Sequence, residues 1–377
     1  MKFDMATVCT LLLNGILVVL SSCNGQSTSA SEGATRSNGN GIFPLGDTLV
    51  VFPEKGIMVV FEDKKHNHWF ANWDGGVYKY DGVHLVLFTS RDGLCSDAIL
   101  GMQEDESGNV YFDTPDGVSK FDGREFTTLE VLNNAGVEED WKLEPGDLWF
   151  RMGWNSNGPY RYDGSSLRQL PFPKHPLEEE FHSKFPKVSY SPYGIYSIYR
   201  DSNGAMWFGT SNLGACRFDG KSIAWISEEE VTELDDGPSN GVRSIVEDKD
   251  GNYWFSNVFH RYEVKPGSSK DRKDQPISYR MKKGIEVSDP FNTNDLTYYM
   301  SAVKDNNDDL WMVTYSAGVW RYDGDKLEHY SVEAGDARVT LFSIYKDRQG
   351  VLWLGTHNNG VYRFNGENFE RFNPNIN

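Results

Sequence analysis

Short runs of apolar and aromatic residues recur along most of the chain, and turns rich in Asp and Gly separate them. The runs lack the period of an amphipathic helix, as Met206-Trp207-Phe208 and Leu352-Trp353-Leu354 illustrate. Aromatic and β-branched runs bounded by turn residues are typical of β-strands. The pattern therefore predicts short strands throughout, with no helix longer than about two turns.

The runs belong to a repeated unit. An Asp precedes an aromatic residue by six positions in six copies, of which Asp63 with Trp69 is the first, and a shorter copy pairs Glu144 with Trp149. The Asp caps its own turn and a following Gly accepts a positive φ, so this segment predicts a first hairpin. An Asp-Gly or Asn-Gly pair, such as Asp219-Gly220, predicts a second hairpin. Each unit therefore contains four strands.

Seven such units predict an all-β chain that folds as a seven-bladed β-propeller with four-stranded antiparallel blades over residues 47–377. Residues 368–372 supply the fourth strand of blade seven. We therefore expect residues 48–53 to form an extra strand that closes the ring beside blade seven. Blade five is expected to be irregular, because Pro266-Gly267 replaces its Asp-Gly turn and the polar residues 268–295 suggest a mobile excursion.

Two sets of repeat residues need an interpretation. We assign the repeat Trp residues to packing between blades, because neighbouring blades cover both faces of each sheet. A small residue also stands four positions before the repeat Asp, most often Ser. One interpretation is a ring of hydroxyls facing a water-filled channel, and the other is steric crowding near the axis. These serines are Ser197, Ser244, Ser301 and Ser343.

The N-terminus is interpreted as a secretion signal over residues 1–22. Lys2 precedes an apolar stretch, residues 11–20, that is too short to span a bilayer. The segment that ends at Cys23 resembles a bacterial lipobox, which implies cleavage before Cys23 and lipidation of its thiol; the alternative is an ordinary signal peptide. Residues 23–46 are rich in Ser, Gly and Asn and predict a flexible tether. The expected location is the cell envelope, on the outer membrane facing the periplasm, with the cell surface as the alternative.

The composition limits the classes of partner that the protein can bind. The formal net charge is −18, which argues against binding to nucleic acid and against a polybasic membrane surface. We therefore expect membrane contact through the lipid alone, and a monomer. Cys95 and Cys216 fall in different repeats, so we expect no disulfide between them.

The consensus Asp-x-x-Gly-x-Leu-Trp-x-Gly-Thr, followed by Gly-Val-x-Arg-Phe, resembles the two-component regulator propeller repeat over roughly residues 57–374. The resemblance implies a periplasmic sensor module of the kind that recognises glycan fragments for hybrid histidine kinases. This chain contains one ring and no kinase segment, so we expect only ligand recognition to carry over.

Sequence motifs for catalysis were not found. The chain lacks a Ser elbow, a His-Glu-x-x-His motif and a Cys pair with zinc spacing, so no catalytic residue, metal or cofactor is expected. The segment His66-Asn67-His68 is interpreted as an exposed hairpin turn. A metal-dependent propeller lyase or hydrolase stays an alternative, and it would require His260 and His357 to converge with carboxylates on one face.

We expect a ligand site where the loops between second and third strands share a face with the crossings between blades. Aromatic rings in these loops lie outside the repeat register, so packing explains them less well; the alternative is that they cover the blade tops. Rings could stack on the apolar face of a sugar while amides and guanidinium groups bind its hydroxyls. The expected partner is a small glycan or peptide, and the alternative is an envelope protein bound by a scaffold. The site residues are Asn72, Trp73, Arg151, Trp154, Asn155, Phe259, His260, Tyr315, His357 and Asn358.

Overall fold

The repeat Asp organises the first hairpin of its blade. Asp201 Oδ1 accepts hydrogen bonds from the backbone N–H groups of Asn203 (3.0 Å) and Ala205 (2.8 Å), and Gly204 takes the positive φ of 85° that the turn requires. Trp207 Nε1 donates to the other oxygen, Asp201 Oδ2, at 2.9 Å. One carboxylate thus caps the turn and fixes the Trp ring, which explains the constant spacing of six. The same Trp–Asp bond is made by Asp63, Asp248, Asp305 and Asp347.

The computed structural model describes residues 46–49, 56–132, 141–227, 231, 241–265, 278–286 and 298–374. Within them, seven antiparallel blade sheets follow one another in chain order, each a meander of consecutive strands, and an additional N-terminal strand joins the edge of the first. The predicted seven-bladed β-propeller is therefore confirmed. The sheets lie in one compact unit, Leu45–Asn377, whereas the other unit, Met1–Pro44, with the predicted signal and most of the tether, lies outside the described residues.

The first three blades contain twelve described strands, three of them in blade three. A 3-10 turn, Ser90–Asp92, follows blade one. The strands are β1 (Asp47–Leu49), β2 (Val59–Glu62), β3 (His68–Ala71), β4 (Val77–Tyr80), β5 (Leu85–Phe88), β6 (Gly101–Glu104), β7 (Val110–Thr114), β8 (Gly117–Phe121), β9 (Phe126–Thr128), β10 (Leu148–Phe150), β11 (Tyr160–Tyr162) and β12 (Leu167–Gln169).

The last four blades contain four strands each within the described residues, and a two-stranded ribbon of β25 and β26 precedes blade seven. A short helix, α1 (Glu178–Lys184), lies in the crossing from blade three to blade four. The strands are β13 (Ile195–Arg200), β14 (Met206–Thr210), β15 (Ala215–Phe218), β16 (Ile223–Ile226), β17 (Ile245–Glu247), β18 (Asn252–Phe255), β19 (His260–Lys265), β20 (Ser278–Lys283), β21 (Ser301–Lys304), β22 (Leu310–Val313), β23 (Val319–Tyr322), β24 (Leu327–Tyr330), β25 (Glu333–Ala334), β26 (Ala337–Arg338), β27 (Leu341–Lys346), β28 (Leu352–Thr356), β29 (Val361–Phe364) and β30 (Phe369–Arg371).

The N-terminal strand corrects the predicted mode of closure. β30 completes blade seven, as expected, but β1 pairs with β5 of blade one, with Asp47 opposite Leu87. The prediction that residues 48–53 seal the ring beside blade seven is therefore wrong for 48 and 49, and residues 50–53 lie outside the described residues. Blade seven already has its outer strand, so the N-terminal segment pairs with the open edge of blade one.

Blade five is more regular than the sequence suggested. Within the polar stretch 268–295, β20 pairs along its whole length with β19 and forms the outer strand of the blade. Its sequence is polar because it is an exposed edge strand, on which Met281 is one of the large apolar residues left in solvent. Residues 268–277 and 287–295, the rest of the predicted excursion, lie outside the described residues.

Packing between blades forms the core. Trp207 of blade four is fully buried against blade five, where its ring centroid lies 4.8 Å from that of Tyr253. The inner strands are joined by the small residues noted in the sequence: Ser197 Oγ donates to Val242 O at 2.8 Å, and Ser343 Oγ donates to Met58 O at 2.6 Å. These hydroxyls therefore bond to the neighbouring blade.

Crowding at the inner strands also explains a repeat Gly. A Cβ atom on Gly355 would lie 2.3 Å from Ser343 Oγ and 2.8 Å from Ile57 O. The Gly that follows the repeat Trp therefore leaves room for the Ser hydroxyl and for the next blade. Both features that the steric interpretation required, small side chains and close backbones, are present.

Smaller expectations can be checked in the described part of the chain. The seven residues of α1 make just under two turns, and Glu178, Glu179 and Glu180 stand in its first turn, where negative charge is favourable. Cys95 and Cys216 are both free thiols. Across the described residues, no helix has the length and apolar character needed to cross a membrane.

Candidate functional site

Two of the predicted site residues stack on each other. Trp73 lies in the loop between β3 and β4 of blade one, and Trp154 lies between β10 and β11 of blade three. Their ring centroids are 4.5 Å apart and their planes differ by 9°. The two loops thus meet although blade two stands between their blades in the chain.

The stacked pair lies where the inner strands begin. Phe342, the second residue of β27, presents its ring edge-on to Trp73, with the ring centroids 6.2 Å apart and the planes at 87°. Inner strands surround the axis of a propeller, so their first residues line the axial opening on this face. We call Trp73, Arg151, Trp154, Tyr196 and Phe342 the mouth cluster.

A local turn presents Trp73. The Asn72 side chain is buried, and its Oδ1 accepts hydrogen bonds from the backbone N–H groups of Asp74 (3.2 Å) and Gly75 (2.6 Å). This Asx-type turn directs the next residue outward, and 38% of the Trp73 surface is exposed. Asn72 therefore positions the ring, and its amide oxygen is engaged in the turn.

Arg151 ties three blades together beneath the stack. Its Nη1 donates to Tyr196 O of blade four at 3.0 Å, and its Nη2 donates to Leu100 O at the start of blade two. Its guanidinium carbon lies 6.0 Å from the centre of the Trp154 ring, a cation–π distance. The side chain therefore holds Trp154 in place while it keeps a positive charge beside the aromatic pair.

A buried carboxylate accompanies this Arg. Asp113 Oδ2 accepts from the backbone N of Arg151 at 3.0 Å and Oδ1 accepts from that of Met152 at 2.9 Å, while Arg151 Nε lies 3.8 Å from Asp113 Oδ2. Burial raises the pKa of the Asp113 carboxyl and lowers the pKa of the Arg151 guanidinium. The pair fixes the loop that carries Trp154.

A second guanidinium group lies nearby. Arg243, just before β17 of blade five, stacks on the Tyr196 ring at 4.4 Å. The mouth cluster and its surroundings thus combine exposed aromatic faces with two cationic groups, one of them neutralised by Asp113. This arrangement can stack on a flat or ring-shaped ligand and donate hydrogen bonds to its polar edge.

The other predicted residues are more dispersed. Asn155 is exposed, and its Oδ1 accepts from Ser191 N at 3.4 Å at a shallow, open groove beside α1, which Glu178 and His182 also line. Tyr315 is half-buried, and its carbonyl accepts from Leu341 N at 3.0 Å, next to Phe342.

Four predicted residues do not join the mouth cluster. Phe259 and His260 are half-buried at the start of β19, where their N–H groups donate to Asn257 Oδ1 at 3.1 and 3.2 Å. His357 and Asn358 are exposed after β28. Within the described residues, no hydrogen bond, ion pair or ring contact links the side chains of these four to the cluster.

The sequence interpretation placed the site in the loops between second and third strands and so missed Tyr196, Phe342 and Arg243, which belong to inner strands or their approaches. Each comes directly before one of the inner-strand serines: Ser197, Ser343 or Ser244. A large residue before the small inner-strand residue is thus the signal for a side chain at the mouth.

A second group of polar residues lies at the opposite ends of the inner strands. Of the described residues, one group of three could hold a metal ion: Glu62, His68 and Asp347, whose ligand atoms lie within 4.8 Å of one another. It joins blade one to blade seven and contains neither His260 nor His357. His66 is exposed, as expected of the turn, but Asn67 is buried and His68 is largely buried, which corrects the expectation for these two residues.

One protein family and several solved structures are similar to this chain. The two component regulator propeller family matches residues 189–212, 236–258 and 335–358, so the resemblance seen in the sequence is confirmed. Each match contains the inner strand of a blade and the whole of its second strand. None of the curated proteins compared with the chain matches it.

Solved propellers share the fold at low identity. The extracellular domain of a hybrid two component system from B. thetaiotaomicron is 17% identical with a TM-score of 0.54 over 84% of this chain and 39% of the other, so the chain spans about two fifths of that structure. Virginiamycin B lyase from Staphylococcus aureus is 17% identical with a TM-score of 0.53, over 84% of this chain and 97% of the lyase. At these identities the likeness establishes the fold alone.

Proposed function

We propose that this protein is a ligand-binding propeller of the bacterial cell envelope, held at a membrane by lipid on Cys23, and that its mouth cluster binds a short oligosaccharide. The observation that carries the proposal is the parallel stack of Trp73 on Trp154, 4.5 Å apart and partly exposed at the axial opening. Packing of the repeat does not require these rings, because they lie outside the register of the buried Trp series. The regulator-type repeats favour binding and sensing over catalysis.

The chemistry of the cluster suits a sugar. The apolar face of a pyranose ring stacks on indole faces, and its hydroxyls accept hydrogen bonds from guanidinium groups. Arg243 stacks on the ring of Tyr196 in the mouth cluster, and Arg151 donates from both Nη atoms to backbone carbonyls. We therefore assign stacking to Trp73 and Trp154, positioning to Arg151, and contact with ligand hydroxyls to Arg243.

The binding experiment compares two Trp replacements. A thermal-shift screen of oligosaccharides and peptides identifies the ligand, and calorimetric titration then compares the wild type with the variant carrying Trp73→Ala and Trp154→Ala. We expect the double variant to lose binding while it stays folded. Trp320→Ala is the control, because Trp320 is a half-buried ring of blade six whose centroid lies 4.4 Å from that of His329, at a tilt of 39°. Unchanged binding by the double variant would refute the site, and a hit with peptides alone would replace the sugar by a peptide.

The anchor has its own test. Replacing Cys23 by Ala removes the thiol that would carry the lipid. We expect the wild type to incorporate a labelled fatty acid and to sediment with membranes, and we expect Cys23→Ala to do neither. Equal labelling of the two chains would show that Cys23 is not the acceptor.

A further inference from the structure

The seams between blades repeat one polar contact. The residue before the repeat Asp is Glu62 in blade one and Glu247 in blade five, and each reaches the hairpin turn of the preceding blade. Glu62 Oε2 accepts from Arg348 N of blade seven at 2.6 Å, and Glu247 Oε2 accepts from Ser202 N of blade four at 2.9 Å. The two seams can therefore be compared position by position.

They differ at the residue before the repeat Trp. At the seam of blades four and five this residue is Tyr253, whose hydroxyl donates to Asp201 Oδ2 at 2.9 Å. At the seam of blades seven and one it is His68, whose Nε2 lies 3.7 Å from Asp347 Oδ2. That Nε2 atom is buried and has no hydrogen-bond partner. An unpartnered polar atom of this kind calls for a ligand.

The charges differ as well. Arg217 Nε lies 3.7 Å from Asp201 Oδ2, so a guanidinium group faces that carboxylate. Within the described residues, the ion-pair contact of Asp347 is with His68 alone. The side chains of Glu62 and Asp347 are 0% and 4% exposed, and two buried carboxylates favour a cation.

We propose that Glu62, His68 and Asp347 bind a divalent transition-metal ion, Zn²⁺, which bridges blades seven and one at the closure of the ring. One imidazole nitrogen and two carboxylates form a ligand set that Zn²⁺ accepts. The ligand atoms lie within 4.8 Å of one another. Each must move inward by about an ångström to stand about 2 Å from a central metal ion. This site is independent of the ligand site at the mouth.

The surroundings hold the ligands in the way that metal sites require. Trp353 Nε1 donates to Asp347 Oδ2 at 2.8 Å, and Gln349 Nε2 donates to Glu62 Oε1 at 3.2 Å. Such outer hydrogen bonds orient carboxylates for a metal. The exposed His84, whose Nδ1 lies 3.2 Å from Asp81 Oδ2 in the second hairpin of blade one, serves as a control.

The second seam supplies the test variant. His68→Tyr places at this seam the residue that Tyr253 provides at the other, so it should bond to Asp347 and keep the fold while removing the metal ligand. Tag-free protein, stripped with EDTA, is titrated with Zn²⁺ by calorimetry and by equilibrium dialysis with metal analysis. We expect one Zn²⁺ per wild-type chain, at least tenfold weaker binding by His68→Tyr, and a rise in Tm with Zn²⁺ in the wild type only.

Each outcome bears on the proposal. His84→Ala should retain the tight site, because its exposed ring bonds to Asp81 rather than to a proposed ligand. Should His68→Tyr fail to fold, Glu62→Gln keeps an acceptor for Arg348 N, removes the charge and should weaken Zn²⁺ binding at least tenfold. Equal binding by the wild type and the folded variants, or no binding by the wild type, overturns the proposal and leaves the three residues as a polar contact between blades.

Discussion

The repeat tryptophans and the mouth tryptophans perform different tasks in one fold. Trp207 and Trp254 are fully buried, and each donates its Nε1 to an Asp six residues earlier. Trp73 and Trp154 lie outside that register and stack on each other across two loops. A Trp bonded to its repeat Asp thus belongs to the packing between blades, whereas Trp73, in a loop outside the repeat register, leaves 38% of its surface exposed.

The largest expected effect is on a repeat Trp. Trp207→Ala removes a ring with 0% exposure between blades four and five and one of the hydrogen bonds to Asp201 Oδ2. We expect the free energy of unfolding to fall by about 3–5 kcal/mol. Urea denaturation followed by circular dichroism measures it. A loss below about 1 kcal/mol would remove the distinction between the two sets of tryptophans.

A smaller effect is expected at the repeat Gly. Gly355→Ala places a Cβ atom 2.3 Å from Ser343 Oγ and 2.8 Å from Ile57 O, so the inner strands of blades seven and one must separate. We expect a loss of about 1–3 kcal/mol in the free energy of unfolding. Gly146→Ala is the matched control, because nothing lies within 4 Å of the added atom and its φ is not positive. Equal stability of the two variants would contradict the crowding described for the inner strands.

The mouth pair should contribute less to stability than the repeat Trp. Trp73→Ala with Trp154→Ala removes one stacked aromatic pair, worth about 0.5–1.5 kcal/mol beyond buried area, from a partly exposed site. We therefore expect a small decrease in Tm, measured by calorimetry, in contrast to that of Trp207→Ala. A Tm of the double variant close to that of Trp207→Ala would show that the mouth pair belongs to the core.

The smallest effect is a pH dependence in the crossing beside the mouth. His175 is buried, its Nδ1 accepts from Leu177 N at 3.1 Å, and burial lowers its pKa below the ordinary value of 6.5. The unfolded chain then takes up the proton at a higher pH than the folded chain. The stability that the neutral His175 ring contributes is complete above pH 6.5 and is lost as pH falls towards the lowered pKa.

Replacement of this ring tests the assignment. His175→Asn keeps an acceptor for Leu177 N and removes the titrating group. We expect its free energy of unfolding to depend less on pH below 6.5 than that of the wild type, measured by urea denaturation across a pH series. Parallel curves for the two proteins would show that His175 does not titrate on unfolding.

Local signals made most of the fold predictable. The Asp–Trp spacing and the Asp-Gly turns act within one hairpin, so they indicate blades wherever they occur. The edge strands β1 and β20 were misjudged, because pairing at an edge depends on which strand is open elsewhere in the ring. At the site, Trp73 and Trp154 stood out because they break the register. Tyr196 and Phe342 did not stand out, because they lie in inner strands, within the register of the repeat.

The contacts between blades seven and one have a consequence for the order of folding. Thr356 N donates to Ile57 O at 2.6 Å and Arg348 N to Glu62 Oε2 at 2.6 Å, so partners nearly three hundred residues apart must meet. Because synthesis starts at the N-terminus, blade one is made first and blade seven, which contacts it, is made last. Until then the inner edge of blade one stays open to proteases and to other chains. The truncated protein made when a nonsense mutation removes blade seven should therefore be degraded in the cell, although the sequences of six blades remain intact.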